Sequence, residues 1–150
     1  MHVHIIMTSN LTTCARIKAG WYSISRMYNV HAEKEDFTMS MAYVLINLSQ
    51  SSGVPSTQIA PKLGMESRSL TRVLKQMENL KIIEKNIAKE DKRVVMVSLT
   101  KKGKRLKKRA KAIVLSFNRQ VEEEISPERL QIFEEVMGEI IKISEVNLET

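Results

Sequence analysis

The sequence predicts a mainly α-helical fold that carries one small β-hairpin, and three observations lead there. Apolar residues recur at steps of three and four through several segments, which is the helical period. That period breaks around residues 82–99, where β-branched and apolar stretches appear and Val95, Val97 and Leu99 alternate with Met96 and Ser98 as in a half-buried strand. No internal repeat or Gly/Ser linker interrupts the 150 residues, which fit one domain with an adequate core.

Each element follows in order. Cys14, Ile17, Trp21, Ile24 and Tyr28 form one stripe, so a helix is expected over 11–32. Met41, Val44, Leu45 and Leu48 give a second, over 38–49. The run Ser51-Ser52-Gly53-Val54-Pro55 then predicts a loop. Ser56 is placed to cap a short helix through Leu63, with Ile59, Ala60 and Leu63 inward and Pro61 awkward inside it. Gly64-Met65-Glu66 supplies a tight turn into a helix over 67–80, where Leu70, Val73, Leu74 and Met77 share one face. Ile82, Ile83 and Ile87, then Val94 to Leu99, read as two strands around a charged tip, 88–92. Thr100 can cap a helix over 101–125 with Leu106, Ala110, Ile113, Phe117 and Val121 as its stripe. Ser126-Pro127 starts the last helix as N-cap and first helical residue, lined by Leu130, Phe133, Val136, Met137, Ile140 and Ile141.

Composition bounds the function. With 43% hydrophobic and 27% charged residues the chain is an ordinary soluble globular protein. A net charge of +7 points to polyanionic partners, nucleic acid foremost. No apolar run reaches the roughly 18–20 residues that span a bilayer, and residues 1–10 lack a signal peptide's basic flank, so a flexible N-terminus is expected there. A single cysteine, Cys14, agrees with a reducing cytoplasm.

The order of elements is that of a winged helix-turn-helix, placed at 37–100, with flanking helices at 11–36 and 101–150 forming a dimerisation region. On the helix over 67–80, Arg68, Arg72 and Lys75 fall opposite the apolar face, flanked by Ser67, Ser69, Thr71 and Gln76. Three like charges at i, i+4 and i+7 repel one another, which makes sense if phosphates neutralise them. A helix of this width fits the major groove, where Arg can donate two hydrogen bonds to guanine. Lys89, Lys92 and Arg93 at the hairpin tip can meet phosphates or a narrow minor groove. The eight basic residues of Lys101 to Lys111 suit either a solvated face or a phosphate contact beside the wing.

On these residues the chain resembles the MarR (multiple antibiotic resistance regulator) family. The likeness rests on Ser67-Arg68-Ser69-Leu70-Thr71-Arg72-Val73-Leu74 through Met77-Glu78, and on Asp91-Lys92-Arg93 followed by Ser98-Leu99-Thr100-Lys101-Lys102-Gly103. The second stretch reads as the family's D-x-R…L-T-x-x-G wing signature. The resemblance implies a homodimeric transcriptional regulator, expected as a repressor, on a pseudo-palindromic duplex operator. It puts a recognition helix in each major groove, Arg93 in the minor groove and Asp91 in support of the wing turn or the arginine. It also implies a small-molecule effector held between the dimer helices and the winged domain, with Trp21, Tyr22, Phe37 and Tyr43 as the nearest candidates. Two departures stand out: Lys81 where the family often has glycine, leaving that helix end to Asn79 or Leu80, and Glu84-Lys85 where arginine is common.

Other chemistries lack support. His2, His4 and His31 form no metalloprotease motif, and neither a phosphate-binding glycine loop nor a nucleophile elbow is present, so no enzyme, metal or cofactor is expected. Cys14 reads as a small apolar residue packed at the dimer interface, since Tyr28 is four turns away on the same helix and could meet it only through a partner chain. The class alternative is a winged-helix module that docks protein or RNA; a steep salt dependence with sequence preference on duplex DNA separates the two.

Overall fold

The structure, a computed structural model, describes residues 12–35, 37–50, 52–88 and 90–148. The expected flexible segment 1–10 lies outside these residues. Helix α1 runs Thr13–Glu33, with the Thr12 hydroxyl accepting the backbone N–H of Ala15. Helix α2, Met39–Asn47, starts the same way, with Thr38 accepting from Met41 at 3.2 Å. Strand β1 (Val54–Pro55), α3 (Ser56–Leu63), α4 (Ser67–Asn79), β2 (Ile83–Ile87) and β3 (Val95–Leu99) follow, then α5 (Lys101–Glu124) and α6 (Pro127–Val146). Residues 1–110 make one compact unit and 111–150 another, with α5 beginning in the first and ending in the second.

The sheet corrects one expectation. Residues 51–55 are not all loop, because Val54 and Pro55 pair antiparallel with Val97 and Met96. The order is β1-β3-β2, so Pro55 lies on an edge, where a missing N–H breaks no ladder. Strand β2 pairs along β3 from Ile83–Leu99 to Ile87–Val95, which is the expected hairpin. Pro55 also takes the N-cap position of α3. Ser56 is therefore its first helical residue and not the cap, and no side chain caps this helix.

Helix α3 ends at Gly64, which adopts a left-handed φ of 59°. Met65 N–H reaches back to Ala60 and Gly64 N–H to Pro61, closing the helix with the paired bonds of a glycine-type C-cap. The end of α4 repeats this geometry without glycine. Ile82 N–H bonds Met77 O at 2.8 Å, Lys81 N–H bonds Glu78 O at 2.9 Å, and Lys81 carries the left-handed φ of 57°. The strain expected at Asn79 or Leu80 thus falls on Lys81 itself.

A joint follows that links α4, the hairpin and α5. Thr100 N–H donates to Ile82 O at 3.1 Å, and its hydroxyl donates to Lys81 O at 2.7 Å, with Ile82 O within reach at 3.0 Å. The same hydroxyl accepts the N–H of Gly103 at 3.0 Å, capping α5 as expected. Gly103 is buried, and a Cβ there would overlap the Ile82 carbonyl oxygen. The L-T-x-x-G spacing is therefore a close approach of two backbones. Only glycine permits it.

The core of the first unit draws one face from each element around this joint. Val44, Leu45, Ile59, Met77, Ile82 and Val97 are fully buried. Each such side chain contributes about 1.5–3 kcal/mol on leaving water. In the second unit, Leu130, Met137 and Ile140 of α6 are half-buried, while Ile132, Phe133, Val136, Ile141 and Ile143 stay exposed. Pro127 opens α6 as expected, but the Ser126 hydroxyl caps no helical N–H. The backbone N–H of Glu128, and after it a hydrogen bond from the Ser126 side chain, hold the Glu128 carboxyl below its ordinary pKa.

Two substitutions test the joint by thermal unfolding at fixed protein concentration. Gly103→Ala should destabilise by about 3 kcal/mol, since a backbone carbonyl must move. A change under about 0.5 kcal/mol would mean that the close approach is not required. Lys81→Gly should stabilise by about 0.5–1 kcal/mol, the relief of left-handed strain exceeding glycine's extra chain entropy. An unchanged or lowered Tm would show that Lys81 is not strained.

Candidate nucleic-acid interface

Helix α4 divides its surface sharply. Leu70, Leu74 and Met77 are buried and Val73 is half-buried, so one side is fixed in the core. At 100° per residue, Arg68, Arg72 and Lys75 lie within about 60° of one another on the opposite side. All three are exposed and, among the described residues, join no ion pair. Asn79 falls on the same line and is also exposed. The sequence reading omitted it, although extending the helical period one more turn finds it.

The flanking positions differ in what they can still offer. Ser67, Ser69 and Gln76 are exposed. Thr71 is exposed too, but its hydroxyl donates to Ser67 O at 2.8 Å. It retains lone pairs and a methyl group for a partner, not a proton. Beside it, a cleft of about 330 Å³ between α3 and α4 places Ser56, Thr57, Ser67 and Thr71 over Ala60, Leu70 and Leu74. Ser56 and Thr57 were not among the expected site residues, because nothing in a linear pattern brings α3's first turn beside α4's.

The wing tip is held by Asp91. Its carboxylate accepts the backbone N–H of Arg93 at 2.9 Å, and its carbonyl accepts the N–H of Val94 at 3.0 Å. Ala88 N–H then bonds Val94 O at 2.9 Å. Of the two expected roles for Asp91, support of the turn is the one seen, an Asx-type turn. Lys92 and Arg93 are exposed, and Lys89 lies outside the described residues. At the root, Lys85 pairs with Glu78 at 2.7 Å and the Ser98 hydroxyl donates to Glu84 at 3.3 Å. Glu84-Lys85 thus anchors strands and α4 to one another.

The basic run of α5 does two jobs. Lys102 donates to Leu80 O at 3.0 Å, Lys107 donates to Leu48 O, and Arg109 pairs with Glu35. The two lysines place positive charge at the carbonyl ends of α4 and α2, where helix dipoles favour it. Lys101, Lys104, Arg105 and Lys108 are exposed with no such partner among the described residues.

The candidate effector residues fare unevenly. Phe37 is buried in the core at 4% exposure, which makes it a packing residue and not a cleft wall. Tyr43 is exposed at its ring while its hydroxyl donates to Leu63 O at 3.2 Å. Trp21 and Tyr22 are exposed on α1. The α3–α4 cleft contains none of the four. Cys14 is exposed on the first turn of α1, and partial burial raises the Tyr28 hydroxyl above its ordinary pKa. His31 is exposed, and His2 and His4 lie outside the described residues. No group of three metal-ligating side chains occurs among the described residues, and no helix there is long and apolar enough to cross a membrane.

Known proteins share this arrangement. The model of the MarR family matches residues 37–95, from two residues before α2 to the first residue of β3. The organic hydroperoxide resistance transcriptional regulator of Bacillus subtilis (strain 168) is 28% identical over 97 residues, 65% of this chain and 66% of that protein. The HTH-type transcriptional regulator YhbI of the same organism is 21% identical over 120 residues, 80% of this chain and 78% of its own. Among solved structures, the MepR–DNA complex of S. aureus superposes with a TM-score of 0.81 at 18% identity, covering 89% of this chain and 98% of MepR. The regulator MarR from Oenococcus oeni PSU-1 gives 0.71 at 20% identity, covering 87% and 99%. At those identities the structural likeness is one of fold, whereas the family match falls on the helix-turn-helix itself. Over residues 37–95, which hold the helix-turn-helix and the first strand of the wing, the chain is similar to the MarR family.

Proposed function

We propose that the protein binds duplex DNA as a homodimer in the cytoplasm and regulates transcription, as a repressor, without enzymatic activity. The observation that carries this reading is the free cationic line of α4, Arg68, Arg72 and Lys75, set opposite its buried face. Arg68 and Arg72 occupy the first half of the helix, the part that enters the groove deepest, and read base edges there. Ser67, Ser69, Thr71, Gln76 and Lys75 surround them as base or phosphate contacts. Arg93, on a tip fixed by Asp91, reads minor-groove width, with Lys92 and Lys89 on phosphates. A MepR–DNA complex of the same fold supports this docking.

The dimer follows from what the chain leaves uncovered. Helix α6 has no fully buried residue and exposes Ile132, Phe133, Val136, Ile141 and Ile143. Apolar surface of that extent marks an interface, and two-fold symmetry then spaces the recognition helices about one turn, roughly 10 base pairs, apart. A small effector acts by preferring one spacing, and about 1–3 kcal/mol of differential affinity is enough. Trp21, Tyr22 and Tyr43 remain the candidate contacts; Phe37 does not.

Binding to a duplex selected by the protein from a random pool, and to a scrambled one, separates the roles. Arg68→Ala or Arg72→Ala should cost about 1–3 kcal/mol on the selected duplex and relax preference at one position per half-site. Equal losses on both duplexes would make these residues phosphate clamps. Arg93→Ala should weaken all sites and flatten the preference for A·T-rich flanks; unaltered A·T preference would remove it from the minor groove. In sedimentation at micromolar concentration the wild type should run as a dimer and Phe133→Glu should shift toward monomer. A monomeric wild type would refute the assembly.

A further inference from the structure

No Asp or Glu occurs from Lys92 to Val121, an acid-free stretch that covers most of α5. The structure sorts the cations of its first turns into two sets. Lys102, Lys107 and Arg109 are engaged by Leu80 O, Leu48 O and Glu35. Lys101, Lys104, Arg105 and Lys108 recur at i, i+3, i+4 and i+7 and fall within about 100° of one another on the helix. They lie directly opposite Gly103, Leu106 and Ala110, the buried face of this part of α5. Because that face is fixed in the core, the four cations are held outward as a stripe. Their mutual repulsion at i, i+3 and i+4 is unrelieved by any partner among the described residues.

We infer that this stripe is a second contact surface for the phosphate backbone of duplex DNA, engaged only when the duplex extends beyond the site read by α4 and the wing. The inference rests on the DNA-binding reading above. Charge complementarity selects the partner: four closely spaced cations on an acid-free stretch of helix match a polymer carrying one charge per about 1.7 Å. Once α4 is docked, flanking duplex is also the polyanion at the highest local concentration. The geometry supplies the length requirement. Leu99 pairs with Ile83 at the root of the hairpin, whereas Ile87 and Val95 lie toward its tip. Four residue steps separate root from tip, about 13 Å along the strand. The stripe starts two residues after Leu99, at the root. A duplex that ends at the tip is beyond the reach of these side chains, and a longer one meets them by curving toward α5. Such contacts add affinity and salt dependence but no sequence preference.

The test compares the selected minimal duplex with the same duplex lengthened by about one and a half turns (~15 base pairs) at each end. The wild type should bind the longer duplex roughly tenfold tighter at low salt, with a salt slope about two to four units steeper. The variant Lys101→Gln, Lys104→Gln, Arg105→Gln, Lys108→Gln should match the wild type on the minimal duplex and lose the gain from length. A charge-preserving variant, with the three lysines changed to Arg and Arg105→Lys, should keep it, and unchanged thermal unfolding verifies that both are folded. Equal wild-type affinity and slope on the two duplexes overturns the inference, as does a glutamine variant weakened equally on both. Stripe-dependent binding to phosphatidylglycerol vesicles, with no effect of duplex length, would overturn it in favour of a membrane surface. Failure of the wild type to bind any duplex would overturn the DNA-binding reading itself.

Discussion

The structure turns on the carbonyl of Ile82. It accepts the N–H of Thr100, lies within reach of the Thr100 hydroxyl, and packs against the bare Cα of Gly103. Three elements meet at this point: the closing turn of α4, the first residue of β2 and the start of α5. Because Thr100 also caps α5, the same side chain terminates one element and begins another. The orientation of α4 relative to the wing is therefore set by these backbone contacts together with the Thr100 hydroxyl, the Lys85–Glu78 pair and the packing of Met77 and Val97. A left-handed Lys81 is the local cost of routing the chain through that joint.

Electrostatics is built around the same region. The positive charge of α5 is divided between cations that close the carbonyl ends of neighbouring helices and cations left to solvent. Lys102 on Leu80 O ties the end of α4 to α5 a second time, beside the Thr100 contact. On α4, the exposed cations face away from Leu70, Leu74 and Met77 and, among the described residues, pair with no acid. A monomer gains nothing from that arrangement beyond solubility. A polyanion that neutralises the line recovers the repulsion as binding energy, which is why the fold and the proposed partner agree.

The two compact units differ in how far they satisfy themselves. Among the described residues the first buries eighteen apolar side chains, from Ala32 to Ala110, and keeps polar groups on the outer face of α4. Among the described residues of the second no side chain is fully buried, and α6 leaves Phe133 and Ile143 each 64% exposed. Burial of such surface is the strongest general driving force for association, at about 25 cal/mol per Å². The proposed dimer would therefore couple assembly to folding in the second unit more than in the first.

The sequence by itself determined the helices and their faces, because a 3.6-residue period is a local property. It also determined the wing hairpin, the Thr100 cap and the likeness to the MarR family, because the D-x-R…L-T-x-x-G spacing is read without coordinates. What it determined of the site is the line Arg68, Arg72, Lys75, which needs only helical geometry, and the support of the wing by Asp91, which is an i, i+2 contact. Tertiary structure alone decided the rest. Strand β1 exists because β3 offers it a ladder, and no pattern in Val54-Pro55 announces that partner. The core position of Phe37, the cleft lined by Ser56 and Thr57, and the division of the lysines of α5 all depend on what lies opposite. Those partners are tens of residues away in the chain, and only the closed fold brings them within hydrogen-bonding distance.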